Sequence, residues 1–537
     1  MAFRVGSGQS INPDAVNTWQ SFTSDGIHYM YGSYKNGEPV DGYNGGGQMF
    51  RGGGDDIAST FSGNFLNELW QTGAFRSYVP YFSDGTNNTG EAQNTTDFGN
   101  TANSWTARGN NFKAAQGKLF IGAPSLYDDQ TATASRGGVF ILHPHRIRTP
   151  SSVEAYEMPS DSGTWGTTKK GKLWDLVTAE SVLGNGQNYF GQSLDFADGK
   201  LFASAYYHNY GQTNGGGAVL QVSGNYNSET PDVNIFARPN IIVGESGGGL
   251  VNGPDVYEQD SRWGATVAAG CGKIAVSDSK NRLYIRGISY YNGYTPPDSS
   301  VETGGWKQIL SPSGSENVGF GRNVKIACGR IIVTDPYLGA STQGMSSNQG
   351  RIYIYDLDGN LIRSLDDPNP KQNGYFGISV AIGSGRIVAT QYASKRIYIF
   401  DLDGDLVYQS PTNAHPGNNP ATSNYAACNP TVGFGRIFTA VPSAVVNSKA
   451  NAGLIYCWDL DGNAIGRAVT DIGPSSDGYT YADLGYGGMA VAPGRLYAMA
   501  PNTSGTNATG YPNLVHEWCI HTSLTPYDVQ AMEDGDL

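Results

Sequence analysis

Histidines, cysteines and carboxylate pairs are the residues through which this chain of 537 residues could do chemistry, and their spacing supports little of it. His143 and His145 share one strand face, a spacing open to a metal, but Pro144 stands between them and no carboxylate or cysteine is near. Glu517, Cys519 and His521 alternate onto one face and read as a strand with a buried thiol rather than a nucleophile. Asp55-Asp56, Asp128-Asp129 and Asp366-Asp367 could flank a sugar as paired acids, yet adjacent aspartates in loops are usually solvated turn formers. No G-x-S-x-G, phosphate-binding loop or dinucleotide fingerprint occurs, and the glycine run Gly215-Gly216-Gly217 precedes a strand, not a helix. The expectation is a protein with no catalytic, cofactor-binding or metal-ligating residue. Recognition chemistry is better represented. Tyr206, Tyr207 and Tyr210 in one loop, and Tyr290, Tyr291 and Tyr294 in another, offer flat amphipathic faces suited to stacking on sugars. The alternative is that these rings pack on neighbouring loops or on another subunit.

The elements that position these loops repeat. Seven times an apolar strand runs into Gly-Lys or Gly-Arg and out into a second apolar strand, at Gly117, Gly199, Gly272, Gly329, Gly385, Gly435 and Gly494. Strand-type units of about 40 to 60 residues indicate propeller blades. Aromatic-Gly pairs open several units, as in Phe190-Gly191, Trp263-Gly264, Phe320-Gly321 and Phe376-Gly377. Three third strands, such as Arg351-Ile352-Tyr353-Ile354-Tyr355, end in the turns Asp356-Leu357-Asp358-Gly359, Asp401-Leu402-Asp403-Gly404 and Asp459-Leu460-Asp461-Gly462. Asp-Gly between alternating strands predicts a hairpin of type I′ and hence a fourth strand. The predicted fold is all-β, a seven-bladed β-propeller of four-stranded antiparallel blades with an irregular N-terminal arm.

These units resemble the FG-GAP repeat of integrin-α-type β-propellers, with Phe376-Gly377 at the F-G position and Gly122-Ala123-Pro124 matching G-A-P. The resemblance covers roughly residues 98–522 and implies a fold rather than an activity. Calcium-binding members carry a loop resembling D-x-D-x-D-G-x-x-D, whereas here Ile354 and Ile362 occupy two of its acidic positions. Two carboxylates per turn favour a plain hairpin over a calcium site.

Residues 1–97 contain no Gly-Lys/Arg turn, are rich in Gly, Asn and Ser, and hold scattered aromatics such as Trp19, Phe22, Trp70 and Phe75. They read as a docking arm for other subunits, the alternative being a degenerate strand set that closes the ring. Residues 523–537 read as a short helix, with Thr525 as N-cap and Pro526 at its first position, and an acidic tail.

A net charge of -13 argues against a nucleic-acid groove, and no apolar run approaches a membrane span. The N-terminal residues lack the basic and apolar regions of a secretion signal. Repeat-equivalent cysteines, Cys271 with Cys328 and Cys457 with Cys519, stand a blade apart, so five buried free thiols are expected, which suits synthesis in a reducing compartment. These readings lead to a non-enzymatic structural or adhesive component of a bacteriophage virion, in its tail, neck, fibre or capsid surface. Its expected partners are other virion proteins, bound through residues 1–97, and a glycan or protein of the host surface. The alternative is a secreted carbohydrate- or protein-binding propeller, with a glycosidase less favoured.

Overall fold

The structure, a computed structural model, describes residues 111–124, 137–143, 188–208, 216–223, 262–288, 306–313, 319–339, 348–410, 428–442, 444, 453–468, 484–485, 487–500, 514–520 and 522–537. It also gives positions 179 and 183 and the backbone of ten further strands: Thr18–Ser24, Ile27–Lys35, Glu38–Pro39, Trp70–Thr72, Arg76–Phe82, Ala155–Met158, Thr168–Lys170, Trp174–Val177, Asn240–Val243 and Val251–Asn252.

Each of the seven Gly-Lys/Arg turns joins the two innermost strands of one sheet. The hairpins share one register: the residue two before the glycine pairs with the basic residue after it, as in Ala115 with Lys118, Gly270 with Lys273 and Gly383 with Arg386. Both central residues have positive φ in six turns, for example Cys271 at 51° and Gly272 at 70°. That is a type I′ turn, whose twist matches the strands it connects. The seventh has Pro493 before Gly494, and only the glycine is left-handed.

Blade 1 is built on Phe112–Ala115, Lys118–Ala123, Gly138–Leu142 and Trp174–Val177, from the inside outward. Blade 2 uses Phe190–Ala197, Lys200–Ala205, Ala218–Ser223 and Asn240–Val243. Blade 3 uses Thr266–Gly270, Lys273–Ser277, Arg282–Gly287 and Lys307–Leu310, and blade 4 Val324–Ala327, Arg330–Asp335, Arg351–Tyr355 and Leu361–Asp366. Blade 5 uses Val380–Gly383, Arg386–Gln391, Arg396–Phe400 and Leu406–Gln409, and blade 6 Cys428–Gly433, Arg436–Val441, Leu454–Trp458 and Ala464–Ala468. Blade 7 takes Met489–Ala492, Arg495–Ala500 and Leu514–Cys519 from the last repeat, but its outer strand is Arg76–Phe82, antiparallel to Leu514–Cys519. The inner strands touch in sequence and the last touches the first, so the ring is closed and the fold is a seven-bladed β-propeller. Four blades carry a fifth strand: Thr168–Lys170 on blade 1, Val251–Asn252 on blade 2, Trp70–Thr72 on blade 6 and Ala155–Met158 on blade 7. The pairing of 70–72 and 76–82 places part of the segment before residue 98 inside the sheets.

The core lies between blades. Seven apolar clusters each join one blade to its neighbour, among them Phe112, Ile121 and Phe140 of blade 1 with Tyr497, Met499 and Val515 of blade 7. Phe190, Trp263, Phe320 and Phe376 of the aromatic-Gly pairs are buried in these layers. A fully buried ring such as Phe376 stabilises its interface by about 1.5–3 kcal/mol.

The Asp-Leu-Asp-Gly turns are hairpins, with a correction to their type. Only the glycine has positive φ, and a register shift follows, so each is a longer loop closed by a bulge rather than type I′. Asp356 Oδ1 accepts from the amides of Asp358 and Asn360, and these bonds hold its carboxyl below the usual range. The second aspartate faces the preceding blade. Lys273 meets Asp358 at 3.3 Å, Arg330 meets Asp403 at 3.2 Å and Arg386 meets Asp461 at 3.2 Å, so the basic residue of one repeat's turn holds the acidic turn of the next. A Cβ at Gly462 would fall 2.1 Å from the Tyr408 ring of blade 5, so the glycine serves close approach as well as its φ of 90°.

Candidate functional site

The loops after each second strand and before each inner strand lie on the face opposite the Gly-Lys/Arg turns. The sequence singled out tyrosines here, and the structure divides them. Tyr206 is fully buried, a correction to its expected role in recognition. Its ring packs edge-on against Tyr207 with centroids 5.6 Å apart, and Tyr189 completes the cluster at 5.8 and 5.5 Å. Tyr207 is half-buried, with the Arg262 guanidinium 5.1 Å over its ring. Tyr210, Tyr290, Tyr291 and Tyr294 lie outside the described residues.

A second cluster, which the sequence reading missed, stands on the same face at blades 4 and 5. Tyr337 and Tyr375 meet edge-on at 5.6 Å, Tyr375 and Tyr392 at 5.8 Å, and Arg322 lies 5.0 Å over Tyr337. Tyr392 is exposed. Tyr189, Arg262 and Tyr375 each immediately precede an aromatic-Gly pair and each has φ near 50°, so aligning the repeats would have found them. A left-handed backbone at a large side chain is costly and aims the side chain away from the strand.

The central channel is a concavity of its own. It encloses about 490 Å³ among the inner strands and is spanned on the turn side by the C-terminal segment. The helix Pro526–Glu533 has the expected Thr525 cap, and Thr525 and Asp528 form a reciprocal capping box. Asp528 also accepts from Ser384 Oγ of blade 5 at 2.8 Å and from the Phe434 amide of blade 6 at 3.0 Å. Asp536 accepts from the amides of Cys271 in blade 3 and Asp198 in blade 2, and burial raises its carboxyl. The acidic tail is therefore a strap bound to the turns of four blades.

The residues weighed for catalysis have structural partners. His208 is buried beside Asn188 Oδ1 at 2.7 Å, and desolvation lowers its pKa to about 4. His516 is likewise lowered to about 4 by burial. Glu517 is paired with Arg495 at 2.7 Å. Asp366 is exposed and paired with Arg351, while Asp367 is buried and accepts from Gln391 and from Tyr398 at 3.4 Å. Asp55, Asp56, Asp128, Asp129, His145, His521 and the side chain of Cys519 lie outside the described residues. Cys457 is a buried free thiol raised to about 12 by burial. Cys271 and Cys328 are free but only half-buried, at the channel rim, which corrects their expected full burial.

No family model matches the chain, and no curated protein matches it. Among solved structures it is similar to a streptogramin B lyase, at 13% identity and a TM-score of 0.37 over 62% of this chain and 83% of that one. It is similar to BamB from Moraxella catarrhalis at 10% identity and 0.31, over 76% and 82% of the two chains. Virginiamycin B lyase from Staphylococcus aureus gives 12% and 0.30, over 61% and 94%. The chain's class is that of a closed seven-bladed propeller. Among the described residues no helix is long and apolar enough to cross a membrane.

Proposed function

We propose that this protein is a non-enzymatic structural or adhesive component of a bacteriophage particle, its blades a variant of the FG-GAP repeat and its propeller a rigid platform for other virion proteins. The observation that carries the platform reading is the bracing of the ring. Turns are held blade to blade, the outer strand of blade 7 comes from Arg76–Phe82, and the tail straps four blades across the channel. Rigid placement of loops is what a docking scaffold requires. The half-buried free thiols suit assembly in a reducing cytosol, which supports the particle over a secreted product. Residues 1–97 remain the proposed route to neighbouring subunits, in their parts outside the blades. Antibody to the chain should co-sediment with intact particles and label them in electron micrographs. Recovery only as a free monomer, with no labelled particle, overturns the proposal.

A second reading rests on the two tyrosine and arginine clusters. Exposed Tyr392 and half-buried Tyr375, Tyr337 and Tyr207 form a glycan-stacking face on either kind of protein. Glycan-array binding lost in Tyr392→Ala would support it, and an array without signal would remove it.

A further inference from the structure

The channel carries a chemistry that neither the fold nor the platform role requires. The residue four before each turn glycine pairs with the residue three after it in every blade: Lys113 with Phe120, Asp195 with Phe202, Ala268 with Ala275, Lys325 with Ile332, Ala381 with Val388, Thr431 with Phe438 and Ala490 with Tyr497. Identical register puts these residues on one tier around the axis. Six of them line the cavity, Ala268 being the exception. Charge is confined to blades 1, 2 and 4, and the far side of the tier is small, with Ala381, Thr431 and Ala490 leaving room beside the lysines.

The charges are unequally satisfied. Lys113 Nζ binds Asp195 Oδ1 at 2.8 Å, and Asp195 Oδ2 accepts from the Ala269 amide at 3.0 Å. The other aspartates lining the cavity belong to the strap and already accept hydrogen bonds: Asp528 from Ser384 Oγ and the Phe434 amide, Asp536 from the amides of Cys271 and Asp198, and Asp534 from Gln530 at 2.9 Å. Among the described residues, the Lys325 ammonium forms no hydrogen bond or ion pair. Desolvation lowers its pKa to about 8, with Asp195 opposing the shift and Lys113 adding to it. Lys325 is half-buried, and the one acid that favours its charge, Asp195, is already bound to Lys113, so an anion beside the ammonium completes its compensation.

We propose that the central channel is a binding site for one small oxyanion, of the size and charge of phosphate or sulfate, held by Lys325 with Lys113 beside it and the Thr431 hydroxyl on the same tier. Such an ion bridges blades 1, 4 and 6 through the axis. Chloride meets the charge but is a single small centre, whereas the spread oxygens of an oxyanion can face donors on separate blades at once. The cavity of about 490 Å³ leaves water around an ion of this size, so an oxyanion of low discrimination between phosphate and sulfate is expected.

The test is equilibrium dialysis of the full chain against radiolabelled inorganic phosphate at pH 7 and constant ionic strength in chloride. The expected result is saturable binding of about one phosphate per chain, displaced by sulfate and not by added chloride. Lys325→Met should weaken binding at least tenfold, Lys325→Arg should retain it, and Lys371→Met, which removes an exposed lysine outside the channel, should not change it. Absence of saturable binding to the unaltered chain at millimolar phosphate overturns the proposal, whatever the variants do. So does equal binding by a folded Lys325→Met chain. If Lys325→Met does not fold, the Arg variant decides, since loss of binding there with native circular dichroism also counts against an ammonium-centred site that only needs charge. Failure of this site leaves the platform reading untouched, because that reading is judged on particles.

Discussion

Blades 3 to 5 and the blades around the seam, 6, 7, 1 and 2, solve the same packing problem differently. Blades 3 to 5 are each written in one unbroken run of chain with four strands. They accept their partners through short polar contacts: Lys273, Arg330 and Arg386 each grip the next blade's acidic turn. The seam blades all carry a fifth strand, and blade 7 has no hairpin between its third and outer strands because the outer one is Arg76–Phe82. Two basic residues there turn elsewhere: Lys200 pairs with Asp198 and Arg495 with Glu517, each at 2.7 Å within its own blade. Where a repeat meets its like, a side-chain latch suffices; at blades 6 and 7 strands from distant chain pair onto the sheets, while the strap ties both halves together at blades 2, 3, 5 and 6.

The largest test removes the closing strand. A chain beginning at Phe98 lacks 70–72 and 76–82, leaving blade 7 with three strands and blade 6 without its fifth. It should lose cooperative melting or aggregate, measured by circular dichroism and gel filtration. A truncated chain melting cooperatively within a few degrees of the full one would erase the distinction between seam and repeat.

Acid should separate the halves next. His208 in blade 2 and His516 in blade 7 are held neutral with pKa values near 4, so the unfolded chain takes up protons first as pH falls below 6.5. Each costs the native state about 3 kcal/mol by the time the pH passes 4. No histidine lies in blades 3 to 5. Asp335 of blade 4, raised to about 6 by burial, works the other way: the native state takes its proton first, so stability from this group grows as pH falls from 6 toward 3.8. Hydrogen exchange at pH 5 against pH 7, corrected for intrinsic rates, should rise in 200–208 and 514–519 and not in 330–335. A uniform rise would show that the two halves titrate alike.

Asp528→Ala strips the strap of acceptors for Ser384, the Phe434 amide and its own helix cap. A loss of about 2–3 kcal/mol in urea titration is expected, and a loss under about 0.5 kcal/mol would show that the strap only rests on the turns. Arg386→Met breaks one latch whose aspartate is 71% exposed, so only about 0.5–1 kcal/mol should be lost, with most of it recovered as coupling in a double cycle with Asp461→Ala. Chelator should shift the thermal midpoint by nothing measurable, because the turn carboxylates already serve amides and the neighbouring blade. A drop restored by calcium would make the latch a metal site instead.

Much of the repeat half was legible because its signals are local. The Gly-Lys/Arg turns, the Asp-Gly hairpins and the Thr525-Pro526 helix start each depend on a few adjacent residues. That the two turn motifs touch one another was hidden, since Arg330 and Asp403 lie in different repeats and only blade stacking joins them. The place of Arg76–Phe82 was not readable either: a single strand with no turn of its own pairs by register, and its partner Leu514–Cys519 is at the other end of the chain. Likewise, nothing in Tyr206-Tyr207 distinguishes a ring buried under its neighbours from one offered to a ligand. The tier of Lys113, Asp195 and Lys325 needs the repeat alignment first and the channel second.

The borrowed outer strand of blade 7 also sets a timetable. During synthesis Arg76–Phe82 is made ahead of the strands of blade 1, and its partner Leu514–Cys519 follows only after those of the other six blades. Until then the growing chain is an open arc with apolar inner faces at both ends, those of blade 1 and of whichever blade is newest. Such intermediates are long-lived on the scale of translation and adhesive toward one another. Two nascent arcs on one message could trade closing strands, so yields of the correct ring should fall with ribosome crowding and recover when initiation is slowed.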